Sequence, residues 1–181
     1  MIDIDYSHVW DNFVSKLVAA KKDDTFIKDK VKDYHPMVQF SFAMLNWSYG
    51  SDFFSHNLLD SKYENPDFYI KKDGIGIPID VKLPGEVMNK ADMERLFEQM
   101  RICNANIGIY IGEHVRVFYR PSVEDELKVV IDAALTENDI EGLLLLNYSI
   151  KTTLTSSCLE EILIYYISWK ELLTILTLQD L

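Results

Sequence analysis

Apolar and polar positions first follow a helical period along this chain. Apolar residues recur three and four positions apart from about residue 8 to residue 22, which predicts an amphipathic helix with Ser7 as a candidate N-cap. A polar stretch leads to Pro36, and residues 37–47 then predict a second helix ended by Tyr49-Gly50. The first quarter of the chain is therefore predicted to be helical.

The middle of the chain changes to short segments rich in β-branched and aromatic residues. Such segments predict strands at 53–59, 68–71, 75–83, 107–111, 114–119 and 128–134. A single amphipathic helix is predicted between them at 89–103, with apolar positions Met93, Leu96, Phe97, Met100 and Cys103 on one stripe. Further helices are predicted at 139–146 and about 157–176. We therefore expect an α/β fold with a mixed central sheet flanked by helices.

No repeat, low-complexity tract or Gly/Ser linker divides the chain, so residues 1–181 are expected to form a single domain. The start of the chain shows no basic segment followed by an apolar stretch, as a signal peptide would. The most hydrophobic region, 159–178, contains four charged residues, which disfavours a membrane span. The two cysteines form no metal-binding or disulfide pattern. These observations predict a cytoplasmic protein without a membrane partner.

One predicted hairpin brings candidate chemistry together. Its turn is Asp73-Gly74. Reflection about Gly74 places Asp67, at the start of the first strand, across from Val81 and therefore beside the end that carries Asp80 and Lys82. Because Asp80 and Lys82 are two apart on a strand, their side chains point to the same face. The hairpin is thus expected to gather two carboxylates and an ammonium group.

Such a group suits a hard divalent cation. Mg²⁺ (or Mn²⁺) takes oxygen ligands and commonly binds through one or two carboxylates, waters and phosphate oxygens. Asp67 and Asp80 are the candidate ligands, and the backbone carbonyl of Val81 could supply another. A metal of this kind lowers the pKa of a bound water, and Lys82 could orient that water or stabilise the charge that develops on a phosphodiester.

The run from NPDFYI through GIPIDVKLPG to LFEQMRICNANIGIYIGEHVRVFY resembles the N-terminal nuclease domain of type I restriction enzyme R subunits, within the PD-(D/E)xK superfamily. In that family a PD strand and a (D/E)xK strand are followed by a helix carrying a Gln and then by a strand hairpin. The resemblance implies a restriction-endonuclease-like core over about 36–120 and a helical extension over about 137–181. It also implies that Asp67 and Asp80 bind metal, that Lys82 is catalytic and that Gln99 assists. The implied activity is Mg²⁺-dependent cleavage of DNA, with a larger complex supplying target recognition.

The missing helix Glu and the net charge keep a second hypothesis open. The family usually places a Glu on the first core helix, whereas residues 35–47 hold no acid and Gln39 is the nearest polar candidate. There is no GxxxxGK[ST] motif, so the expectation is a stand-alone relative without an ATP-driven translocase. The net charge is −11, and residues 121–181 carry 11 acidic but only 3 basic side chains, which disfavours contact with phosphates there. A non-catalytic module that binds a protein through this acidic third is the alternative; an acidic mimic of DNA is a weaker one.

Overall fold

The computed structural model describes residues 6–22, 35–44, 47–55, 65–72, 75–82, 86–122, 125–137, 139 and 142. Three helices and six strands lie in these ranges. They are α1 (Tyr6–Lys22), α2 (His35–Met44), β1 (Phe53–Ser55), β2 (Phe68–Lys72), β3 (Ile75–Val81), α3 (Lys90–Ile102), β4 (Ile107–Ile111), β5 (His114–Tyr119) and β6 (Lys128–Ala134).

The six strands form one mixed sheet in the order β1-β2-β3-β4-β5-β6. Neighbouring strands are antiparallel except for β3 and β4, which are parallel because α3 carries the chain back across the sheet between them. The predicted mixed sheet flanked by helices is confirmed at this level. As a result, the carboxyl end of β3, the start of α3 and the carboxyl end of β4 meet at one edge of the sheet.

The β2–β3 hairpin turns where the sequence predicts, but its register differs by one residue. Lys72 pairs with Ile75, so the centre of the hairpin falls between Asp73 and Gly74, and not on Gly74. Phe68 therefore pairs with Ile79, which brings Asp67 into line with Asp80 and not with Val81. The predicted end of the hairpin was right, and the predicted opposite residue was wrong.

Side chains on the two faces of the sheet build two separate apolar cores. On one face, residues of α1 and α2 such as Trp10, Leu17 and Val38 pack with alternate strand residues that include Ile79 and Ile109. On the other face, α3 packs with β4 and β5 through a smaller cluster: Leu96, Met100, Ala105, Tyr110 and Phe118. Asp80 and Tyr110 occupy strand positions of this second face, so α3 covers the face that holds the candidate site.

Helix α3 begins as predicted and buries a different stripe. Asn89 and Asp92 form a reciprocal capping box, in which each side chain accepts a hydrogen bond from the other residue's backbone amide. The helix buries Asp92, Leu96, Gln99 and Met100. Met93 is 43% exposed, and the predicted positions Phe97 and Cys103 are only half-buried. The apolar stripe was therefore partly wrong, because two polar residues take buried positions.

Other boundaries also differ from the sequence predictions. Helix α1 starts at Tyr6, so Ser7 lies inside the helix and is not its N-cap. Helix α2 ends at Met44, and Trp47 follows it as a buried residue whose amide donates to the Phe42 carbonyl at 3.0 Å. The predicted residues 56–59 and the two C-terminal helices lie outside the described residues, apart from positions 139 and 142. Within the described part of the chain, no helix combines the length and apolar character needed to cross a membrane.

Candidate functional site

Asp67 is held at the end of the hairpin by its own strand and by the next one. Its Oδ2 accepts a hydrogen bond of 2.7 Å from the backbone amide of Val81. The following residue, Phe68, is fully buried and stacks on Phe53 at 4.9 Å, and Phe53 stacks on Phe42 at 4.8 Å. This aromatic column fixes the start of β2, and with it the position of the Asp67 carboxylate beside β3.

Asp80, the second-last residue of β3, is 2% exposed and forms an ion pair with helix α3. Its Oδ2 accepts from Nη2 of Arg95 at 2.5 Å and lies 3.8 Å from Nζ of Lys82. Burial raises the pKa of Asp80, the nearby Asp67 charge raises it further, and Arg95 and Lys82 oppose the shift without cancelling it. Asp67 and Asp80 are thus close enough for each charge to disfavour the other.

Asp92, a residue that the sequence analysis did not single out, completes the ion-pair network. Its Oδ1 lies 3.0 Å from Nζ of Lys82 and 3.6 Å from Nη2 of Arg95, while its Oδ2 accepts from the Asn89 amide at 3.1 Å. Desolvation raises the pKa of Asp92, but the hydrogen bond from Asn89 and the contact with Lys82 outweigh it, so the pKa lies below its usual value. Asp92 is therefore a charged, anchored partner for Lys82.

Tyr110 lies beside this network on the next strand. It pairs with Asp80 across β3 and β4, is fully buried, and its hydroxyl makes no hydrogen bond within the described part of the chain. Burial raises the pKa of this hydroxyl, and the charges of Asp92 and Asp80 raise it further. A Cβ added at Gly112 would lie 2.6 Å from the Tyr110 ring, so a glycine is needed where this ring lies against the end of β4. An unsatisfied buried hydroxyl beside two carboxylates marks a place where a water or ligand oxygen fits.

Gln99, the predicted assisting residue, lies on α3 one turn beyond Arg95 and is 1% exposed. Neither its amide oxygen nor its amide nitrogen forms a hydrogen bond among the described residues. Gln99 therefore lies on the predicted helix with its side chain buried, while its role at the site stays a prediction. The same holds for the carbonyl of Val81, whose amide is engaged by Asp67. Gln39 is half-buried on α2.

Five basic residues of α3, of β5 and of the position after β5 have acidic or aromatic partners. Arg95 binds Asp80, and the others form ion pairs or are buried: Lys90 with Glu94, Arg101 with Glu98, Arg116 with Glu113 and Asp132, and Arg120 against the Phe97 ring at 4.2 Å. Each of these cations therefore has an acid or an aromatic face nearby. The sequence does carry a signal for Asp92. Asn89-x-x-Asp92 is a capping box, and it starts a helix directly after the strand that ends in Asp80-x-Lys82.

Two of the predicted ligands meet the minimum that a magnesium ion needs. Among the described residues, no group of three or more His, Cys, Asp or Glu side chains is positioned to hold a metal ion. Mg²⁺ commonly binds through one or two carboxylates, however, and completes its shell with waters and phosphate oxygens. Asp67 and Asp80 supply that pair, and the hydroxyl of Tyr110, which makes no hydrogen bond among the described residues, feels the charge of Asp80. The residues present fit a divalent cation provided that Asp80 is shared with Arg95 or released by it.

A scan against protein-family models finds no match to this chain. Searches of curated proteins and of solved structures find no match either. Functional inference therefore rests on the geometry and chemistry of the residues themselves.

Proposed function

We propose that this chain is a Mg²⁺-dependent DNA endonuclease domain with a restriction-endonuclease-like core. The observation that carries the proposal is the meeting of Asp67, Asp80 and Lys82 at one end of the β2–β3 hairpin. The order of elements supports it as well. A strand preceded by Pro-Asp, a strand ending in Asp-x-Lys, a helix bearing Gln99 and the β4–β5 hairpin follow one another as the family resemblance requires.

Asp67 and Asp80 would hold the metal ion, with the Val81 carbonyl as a further ligand. When bound there, Mg²⁺ would neutralise charge on the scissile phosphate and lower the pKa of a coordinated water. Lys82 would hold that water by a hydrogen bond, or stabilise the charged oxygens of the transition state. Its ammonium group is directed by Asp92 at 3.0 Å, so Asp92 acts as a positioning residue for Lys82. Manganese would serve in place of magnesium.

The electrostatics of the two aspartates support a cation site. Burial is the chief cause of the raised pKa of Asp80, and the charge of the neighbouring Asp67 raises it further. A site that keeps an ionised carboxylate at 2% exposure stores unfavourable desolvation that a multivalent cation would relieve.

DNA is the proposed substrate, and a larger assembly is proposed to deliver it. Duplex binding depends on Lys and Arg side chains that neutralise phosphates. Here four of the five candidate basic residues are paired with acids and Arg120 is 1% exposed, so this surface offers little affinity of its own. A separate subunit that selects the target, in the manner of restriction–modification systems, fits this charge distribution. The proposed location of this work is the cytoplasm.

The test is cleavage of supercoiled plasmid in Mg²⁺ or Mn²⁺ by the wild-type protein, Asp80→Ala and Lys82→Ala. Both substitutions should reduce nicking by at least about a hundred-fold, the size of effect expected for general acid–base and electrostatic groups. Lys90→Ala is the matched control, because Lys90 is 86% exposed on α3 and pairs with Glu94 across one turn. Nicking that persists in Asp80→Ala would refute the proposal.

A second candidate function is a non-catalytic module of the same fold that binds a protein. The observation in its favour is the ion pair between Arg95 and Asp80, which gives Asp80 a cation partner without any metal. The net charge of −11 and the half-buried Gln39 at the place of the family's helix Glu point the same way. Absence of nicking, together with unaltered stability on addition of Mg²⁺ or Mn²⁺, would favour this function.

A further inference from the structure

Two cations, Lys82 and Arg95, contact the same two carboxylates at the candidate site. Lys82 lies closer to Asp92, and Arg95 lies closer to Asp80. Nη2 of Arg95 lies 2.5 Å from Oδ2 of Asp80 and 3.6 Å from Oδ1 of Asp92. Nζ of Lys82 lies 3.0 Å from Oδ1 of Asp92 and 3.8 Å from Oδ2 of Asp80. Each cation is thus already in contact with the partner that the other prefers. Either could move from one carboxylate to the other by a change of side-chain rotamer.

Asp92 is anchored to the start of α3. The Asp92 carboxylate accepts from the Asn89 amide through Oδ2, and this bond belongs to the capping box that starts α3. Its Oδ1 lies 3.0 Å from Nζ of Lys82 and 3.6 Å from Nη2 of Arg95, which is three residues further along the same helix. Arg95 therefore has a second, preformed acceptor that requires no movement of the backbone.

We infer that Arg95 is a tethered counter-cation, which occupies Asp80 until a divalent cation displaces it onto Asp92. The inference rests on the proposed metal site. While Oδ2 of Asp80 accepts the hydrogen bond of 2.5 Å from the Arg95 guanidinium, a metal ion cannot occupy the place of that guanidinium beside the oxygen. Metal affinity is then set by a competition between the ion and a side chain of the same protein.

The charge of the site changes sign in this exchange. Three aspartates (Asp67, Asp80 and Asp92) and two cations (Lys82 and Arg95) give the resting cluster one negative charge in excess. Addition of a divalent cation leaves one positive charge in excess. An anionic phosphodiester is therefore repelled before the metal binds and attracted afterwards, which orders the two binding steps.

Calorimetric titration with Mn²⁺, without nucleic acid, tests the inference on the wild type, Arg95→Met and Lys82→Met. Arg95→Met should bind Mn²⁺ about ten-fold more tightly, equivalent to about 1.4 kcal/mol. Lys82→Met removes the same charge from a group that lies 3.8 Å from Asp80 and 3.0 Å from Asp92, so its gain should be about three-fold or less. Unequal gains separate displacement from a general loss of positive charge. Arg95→Gln replaces Arg95→Met in the comparison if the latter does not fold.

Equal gains in the two variants, or unchanged affinity in Arg95→Met, would overturn the displacement of Arg95. Absence of Mn²⁺ binding in all three proteins would overturn it together with the metal site. The proposed nuclease function fails separately, if the wild type binds Mn²⁺ and Arg95→Met binds it more tightly while plasmid nicking is absent. Thermal melting provides a second measurement. Arg95→Met should melt below the wild type without metal and recover more than the wild type does when Mn²⁺ is added.

Discussion

Replacement of Asp80 by Asn should stabilise the folded protein at neutral pH. The pKa of Asp80 is raised, chiefly by burial and then by Asp67, although Arg95 and Lys82 oppose the shift. The ionised carboxylate is thus less favourable in the folded chain than in the unfolded one, by about 1.4 kcal/mol for each unit of pKa. Asparagine keeps the shape and lacks the charge, and Arg95 retains Asp92 at 3.6 Å as a partner. We expect a gain on the order of 1 kcal/mol at pH 7.5, or about 2 to 4 °C in melting temperature.

The pH dependence of this gain follows from the direction of the shift. A raised pKa in the folded state means that the native protein takes up a proton before the unfolded chain does as the pH falls. Stability from Asp80 is therefore present at low pH and lost as the pH rises through the folded pKa. The advantage of Asp80→Asn should accordingly be larger at pH 7.5 than at pH 4, because wild-type Asp80 takes up a proton as the pH falls through its raised folded pKa. Urea unfolding at the two pH values measures the difference.

Asp92→Asn is the matched control, because its pKa is shifted in the opposite direction. The pKa of Asp92 is lowered despite desolvation, through Asn89 and Lys82, so its charge stabilises the fold at neutral pH. Its replacement should cost about 0.5 to 1 kcal/mol, the usual range for an acid in the first turn of a helix. If Asp80→Asn instead destabilises the protein as Asp92→Asn does, Asp80 is an ordinary structural ion-pair residue and the reasoning about a stored functional charge is refuted.

Two further substitutions test the packing around the site and the core. Asp67→Ala leaves the buried Val81 amide without its acceptor and should lower the free energy of unfolding in urea by about 1 to 3 kcal/mol. Asp67→Asn keeps an acceptor oxygen and should lose much less. Equal losses in the two variants would show that the hydrogen bond of 2.7 Å contributes little. Gly142→Ala places a methyl group 2.2 Å from the Trp10 ring and should lower the free energy of unfolding by about 1 to 3 kcal/mol. Gly50→Ala is the comparison for backbone strain without a clash, because Gly50 has open space around it but a φ of 83°. A Gly142→Ala protein as stable as the wild type would show that Trp10 repacks freely.

The sequence predicts the elements best where the signal is local. The spans of β4, β5 and β6 agree with their predicted ranges at every residue, because alternating apolar positions and the Gly112-Glu113 turn define them within a few residues. The place of the β2–β3 turn was confirmed for the same reason. The register was off by one because reflection about a single residue assumes an odd number of turn residues, whereas two lie between the paired Lys72 and Ile75.

The contacts of the candidate site were harder to predict, since they depend on how α3 crosses the sheet. The proximity of Asp67, Asp80 and Lys82 follows from one hairpin and was foreseen as an arrangement. The pairing of Arg95 with Asp80 joins a helix to a strand that precedes it by 15 positions, and no local pattern specifies that distance. Gln99 is buried on α3, because the orientation of the helix and not the polarity of the side chain decides which positions face the sheet.

The parallel pairing of β3 and β4 has a consequence for the order in which this protein assembles. The β2–β3 hairpin closes over a very short loop and can form early, so Asp67, Asp80 and Lys82 can meet in a small folding unit. Contact between this hairpin and Tyr110 requires α3 to bring β4 alongside β3. The hydrogen bond of 2.7 Å that the Lys82 amide donates to the Ile111 carbonyl extends this strand pairing beyond the end of β3. Asp67, Asp80 and Lys82 therefore lie within one local hairpin, whereas Tyr110 and α3 join them through the longer crossover. Slow amide exchange at Lys82 would therefore report completion of the sheet.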